Sequence, residues 1–141
     1  MKREALGKTG APFVLSIERG KIREFARAVG AQHPSYFGDT PTIPPTFLTT
    51  TFFWEDDNPW AALEVDQRRG MHAEQEYIFH GPPPRAGTKL RAQSRIAEIY
   101  DKQGKRGGTL TFAVMITEFR DEEGRLVAEA RLTGVETQKA P

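Results

Sequence analysis

Ile43-Pro-Pro-Thr-Phe-Leu-Thr-Thr-Thr-Phe-Phe-Trp54 is the one long run of this chain without a charge, and the acidic residues Glu55, Asp56 and Asp57 follow it at once. It is apolar or weakly polar on every side, as expected of an element enclosed by the rest of a domain. Threonine and phenylalanine favour strand, whereas a proline pair followed by threonine suits the opening of a helix. What lies downstream decides between them. Four long strand-like segments would make one sheet with a face that needs covering, so the run is expected to be a short buried helix laid on that sheet.

The strand grammar starts at Met71. Tyr77 and Phe79 alternate with Glu76 and Ile78, and Leu90, Ala92, Ser94 and Ile96 alternate with Lys89, Arg91, Gln93 and Arg95. Leu110, Phe112, Val114 and Ile116 mark a third strand, and Leu126, Ala128, Ala130 and Leu132 a fourth. Gly-Pro-Pro-Pro from Gly81, the glycine-rich basic turn Lys102 to Gly108, and Asp121 to Gly124 separate them. Period-two alternation with short turns predicts an antiparallel meander with one wet and one buried face.

Upstream, residues 1 to 12 are polar and broken by Gly7, Gly10 and Pro12, which predicts a loose arm. Phe13 to Ile17 reads as a short strand. From Arg19 the apolar positions Ile22, Phe25, Ala26 and Val29 follow helical spacing, with Ser16 or Glu18 available as cap and Gly30 as stop. Asn58 to Gly70 reads as loop with one helical turn. Segregated helix and strand elements make this an α+β chain and exclude a doubly wound parallel fold.

With 141 residues the chain is expected to be a single domain spanning 1–141. Twenty basic and 19 acidic side chains leave a net charge of +1, so no global field points to nucleic acid or to an anionic membrane. The absence of cysteine excludes thiol catalysis and disulfides. The start has no signal-peptide core and no apolar run nears the roughly 20 residues of a membrane span, so a cytoplasmic protein is expected.

Four blocks carry a resemblance. Glu18 to Gly30, Pro44-Pro45-Thr46-Phe47, His72 to Glu76 and Tyr100 to Gly108 together resemble the MaoC-like dehydratases, in their N-terminal, fatty-acid-synthase-like branch. The resemblance implies a hot-dog fold, a sheet wrapped around a central helix. It also implies hydration of an enoyl thioester to the (R)-3-hydroxyacyl thioester, or the reverse, on coenzyme A or acyl carrier protein, with no cofactor. The family's catalytic loop, Gly-Asp-x-Asn-Pro-x-His, lets a carboxylate and an imidazole share one water. Here it reads Gly30-Ala31-Gln32-His33-Pro34-Ser35-Tyr36. Ala31 replaces the aspartate and Tyr36 the histidine, and a methyl group cannot take a proton. The resemblance therefore implies a non-catalytic, acyl-binding half that pairs with a dyad-bearing chain and forms a homodimer when alone. The alternatives are a homodimeric acyl-thioester-binding protein, or a thioesterase with Glu55 as its carboxylate.

Other residues carry readings of their own. His33 is a weak catalytic candidate, more simply an exposed loop histidine. The free amides of Thr46 and Phe47 could polarise a thioester carbonyl, or merely begin a helix. Phe52, Phe53, Trp54 and Trp60 could line an acyl pocket, though aromatic residues on a central helix are more often core, which is the simpler reading of the three consecutive ones. Arg68, Arg69, Lys102, Lys105 and Arg106 could meet coenzyme A phosphates or an acidic carrier protein, or serve solubility. His72 and His80 match no metal-ligand spacing, so no metal site is expected.

Overall fold

The computed structural model describes residues 1–105 and 107–138. It contains β1 (Phe13–Ser16), α1 (Arg19–Ala28), β2 (Gly70–Phe79), β3 (Lys89–Gln103), β4 (Thr109–Arg120) and β5 (Leu126–Thr137). Short 3₁₀ helices span Arg3–Ala5, Pro34–Tyr36, Phe47–Phe53 and Pro59–Leu63.

The strands form one antiparallel sheet in the order β1-β3-β4-β5-β2. Two tight turns act as expected. Gly104 N donates to Gly108 O at 2.9 Å between β3 and β4, and Asp121 Oδ1 accepts from Arg125 N at 2.9 Å between β4 and β5. The uninterrupted meander is corrected at β2, which pairs with β5 and not with β3. Three consecutive prolines have no amide to donate to a hairpin. The chain after β2 instead crosses to the other side of the sheet, where Arg85 bridges Thr42.

β3 shows the alternation in full: Leu90, Ala92, Ser94 and Ile96 are buried, while Lys89, Arg91, Gln93 and Arg95 face outward. Against the inner face pack Phe47, Leu48 and Ile43 from the central run and Ile22 from α1, with Phe119 beneath. The ring of Phe25 meets Phe47 edge-on at 5.5 Å. This is the hot-dog arrangement, with one difference. The central run is a seven-residue 3₁₀ helix, not a longer α-helix. Three successive β-branched threonines disfavour the α form, and Thr51 Oγ1 donates to Leu48 O at 2.8 Å, a side-chain bond that tightens the turn.

Phe52 and Phe53 are 77% and 78% exposed, stacked edge to face at 5.7 Å, so the reading of both as core is corrected. The 3₁₀ helix runs out before its last residues reach the sheet. Val29, 53% exposed, also departs from the core pattern, because α1 stops at Ala28 and Gly30 turns the chain away at φ +70°.

Residues 1 to 12 are not a loose arm. Gly7 N donates to Ile96 O and Gly10 N to Ser94 O, both at 2.9 Å, and Ala5 is buried in a second cluster with Leu63, Ile96, Ala113 and Met115. The arm also clamps the acidic loop. Ala11 N donates to Asp57 Oδ2 at 2.8 Å, and a Cβ on Gly10 would stand 2.2 Å from Asp57 O.

Candidate functional site

Between the 3₁₀ segments and the inner face of the sheet runs a groove in two parts. The smaller, about 200 Å³, lies between Leu48, Thr49 and Thr51 above and Gln75, Tyr77, Thr117 and Ala130 below. The larger, about 520 Å³, is bounded by Trp60, Val65, Met71, Met115, Leu132, Gly134 and Val135. Phe52, Glu55, Asn58, Met115 and Leu132 line both, so the parts adjoin. The volume and apolar walls of the larger part fall in the range of small-molecule sites.

The floor of the smaller part follows from strand register. Ser94, Thr117, Ala130 and Tyr77 lie opposite one another across β3, β4, β5 and β2, and Ser94 Oγ and Thr117 Oγ1 are 2.8 Å apart. Above this row stands Glu55. Asn58 Nδ2 donates to its Oε2 at 2.8 Å, while Oε1 is buried without a hydrogen-bond partner among the described residues. Burial pushes the Glu55 carboxyl up from its ordinary value, and the Ser94 hydroxyl and the Asn58 amide only partly offset this. Burial likewise raises the Tyr77 phenol.

The loop from Gly30 to Tyr36 leads from the end of α1 into the 3₁₀ turn Pro34–Tyr36. Ala31 N closes α1 by donating to Ala26 O at 2.8 Å. His33 is exposed and caps the turn Pro34–Tyr36 by accepting from Ser35 N, with Ser35 Oγ 2.8 Å from Nδ1. Tyr36 lies half-buried against the cluster that contains Phe47 and Leu48. Ala31 offers no group that could move a proton.

A family model for the FAS1-like dehydratase domain region matches residues 4–130. The chain belongs to that family. It is 31% identical over 136 residues to a UPF0336 protein of Parafrankia sp. (strain EAN1pec), covering 89% of this chain and 86% of that one. Its structure is similar to a chain of the C-terminally truncated HadBC (3R-hydroxyacyl-ACP dehydratase) complex of Mycobacterium tuberculosis. The TM-score is 0.72 at 27% identity, over 96% of this chain and 99% of that one. A chain of the ChsH1–ChsH2 complex of the same organism shares the fold, with a TM-score of 0.74 at 14% identity, over 99% of this chain and 88% of that one. Among the described residues no helix is long and apolar enough to cross a membrane.

In this FAS1-like dehydratase family member the remaining candidates are dispersed. The Phe47 ring is core and its amide donates to Pro44 O at 3.0 Å, so it is not free to polarise a carbonyl; Thr46 is exposed. Phe52 lines the groove, whereas Phe53 lies over solvent near Lys21, and Trp54 is half-buried against the first core. Arg68 and Arg69 both bind Asp66, whose carboxyl they hold far below the usual range. Arg69 also reaches Glu136 at 3.5 Å. Lys102 lies over the Tyr100 and Phe112 rings at 5.2 and 5.3 Å, and Lys105 is exposed in the adjoining turn; Arg106 lies outside the described residues. His72 and His80 stand apart, on Glu74 O and Glu129 Oε2. Trp60 lines the larger part of the groove together with Asn58 and Gly134, two residues that the sequence did not single out. Gly134 alternates inward with Ala130 and Leu132 on β5, and that pattern was the available signal.

Proposed function

We propose that this chain is the acyl-binding, non-catalytic half of an (R)-specific enoyl-thioester hydratase or 3-hydroxyacyl-thioester dehydratase. A MaoC-like partner chain contributes the aspartate and histidine, and the substrate is a thioester of coenzyme A or of an acyl carrier protein. The observation that carries this reading is the contrast within one fold: an acyl-sized groove is retained while the family's proton-transfer positions hold Ala31 and Tyr36. General acid and base groups each contribute about 10² to 10⁴-fold, so the lone chain is expected near background. The test follows enoyl-CoA hydration by absorbance, with the chain alone and with a dyad-bearing MaoC-like subunit. Activity only in the mixture is expected. Robust turnover by the chain alone, insensitive to Ala31 and Tyr36 substitutions, would refute it.

A second reading, thioester hydrolysis, draws on Glu55, a carboxylate that lines both parts of the groove. Release of free coenzyme A thiol that is abolished in Glu55→Gln would favour it over the first.

A further inference from the structure

The smaller part of the groove is walled by polar groups as much as by carbon. Thr49, Thr51 and Glu55 line it from the covering segment, and Gln75, Tyr77 and Thr117 from the sheet. Beneath them Ser94, 0% exposed, sets a hydroxyl into the inner face between Ala92 and Ile96. A cavity that served only to bury hydrocarbon would gain more from apolar side chains at these positions.

These groups have hydrogen-bonding capacity left over. Asn58 Nδ2 donates to Glu55 Oε2 at 2.8 Å, but Glu55 Oε1 is buried without a partner among the described residues. Ser94 Oγ and Thr117 Oγ1 lie 2.8 Å apart, a contact that uses one of the two hydroxyl hydrogens. Gln75 Nε2 donates to Arg131 O at 3.2 Å, which leaves its Oε1 as an acceptor. Burial pushes the Glu55 carboxyl up and the Ser94 hydroxyl partly offsets this, so Glu55, Ser94 and Thr117 act as one polar patch.

Water can serve such groups in the free protein. An acyl chain that fills the groove displaces it, and plain hydrocarbon cannot replace its hydrogen bonds. A hydroxyl can, because it donates to a carboxyl, amide or hydroxyl oxygen and also accepts; a ketone only accepts and meets fewer of these groups. The larger part adds Trp60, Val65, Met71 and Val135, beside Gln67 and His72, so the hydrocarbon remainder of the tail finds carbon there.

We infer that the smaller part of the groove is a subsite for a hydroxyl group carried on the acyl tail, held by Glu55, Gln75, Tyr77 and Thr117, and that the protein prefers hydroxylated acyl thioesters to plain ones. This rests on the acyl-binding reading above and names the class of acyl group. Glu55 in this role determines specificity and moves no proton.

The test is equilibrium binding of dodecanoyl-CoA and of its derivatives with a single hydroxyl at successive carbons from the third onward. All carry the same coenzyme A arm, so the ratio of affinities reports the tail alone. Where the hydroxyl reaches the smaller part, the ester should bind about threefold to tenfold tighter than the plain one. A keto group at the same carbon should gain less. In Glu55→Met the ratio should fall towards one, and Glu55→Gln, which keeps a hydrogen-bonding amide, should retain part of it. Thr117→Val, the same shape without the hydroxyl, should lower the ratio as well and serves if Glu55→Met does not fold. Equal binding of plain and hydroxylated esters at every position would overturn this inference and leave the acyl-binding reading standing, as would a preference unchanged in the folded variants. A gain confined to the third carbon would assign the patch to the reacting hydroxyl and overturn it too. Failure of every ester to bind the native chain would overturn both readings.

Discussion

Replacing Gly134 by alanine adds one methyl group where β5 passes beneath Trp60. The new Cβ would stand 2.5 Å from Cζ2 and 2.6 Å from Cη2, against about 3.5–4.0 Å for unstrained carbon contacts. The ring must therefore retreat by about 1 Å or more. Its backbone is capped by Asn58 and preceded by buried Pro59, so the movement strains the turn Pro59–Leu63. Overpacking of this kind costs about 1–3 kcal/mol. Removing a strand glycine returns roughly 0.5–1 kcal/mol of backbone entropy, which leaves a net loss of about 0–2.5 kcal/mol, centred near about 1 kcal/mol. At that centre the melting temperature of a chain of this size should fall by about 3–6 °C. Thermal unfolding followed by circular dichroism would be measured for the native chain, Gly134→Ala, Trp60→Leu and the double variant. Because leucine is too short to reach the new methyl group, the two changes should couple by about 1 kcal/mol or more. An unchanged melting temperature in Gly134→Ala would refute the argument, and so would an equal destabilisation by Gly134→Ala in the native and the Trp60→Leu backgrounds.

Phe47→Ala should cost about 3–5 kcal/mol, since Phe47 is 1% exposed and joins α1 to the sheet; a denaturant midpoint near the native value would contradict the central place given to it. Burial raises the Glu55 carboxyl above its ordinary 4.5, so ionising it costs the folded chain more than the unfolded one. Its contribution is present below that value and is lost as pH rises through the folded value, so Glu55→Gln should gain on the native chain across that window and run parallel above it. A pH-independent difference in urea melts would count against the assignment. Among the described residues β2 pairs only with β5 and forms an edge of the sheet, with Phe52 and Phe53 exposed elsewhere, and an open edge invites another chain. Light scattering should find a dimer or larger even-numbered assembly; a monomer throughout the micromolar range would exclude it.

Much of this protein is written locally. The alternation of Leu90, Ala92, Ser94 and Ile96 with charged neighbours settled which face of β3 is buried, because side-chain direction in a strand has a period of two whatever the partner. That the Ala31 side chain offers no group able to move a proton was likewise legible, since it depends on side-chain chemistry alone. Tertiary structure decided the rest. Pairing of β2 with β5 is a non-local choice among edges, made when the prolines after Phe79 denied it the nearer one. The half-burial of Glu55 and the exposure of Phe52 and Phe53 run against their hydrophobicities, because a short 3₁₀ helix carries the aromatic pair past the sheet while the clamped acidic loop folds Glu55 back over it. The seat of Trp60 on Gly134 joins residues far apart in the chain, and only the sheet brings them into contact.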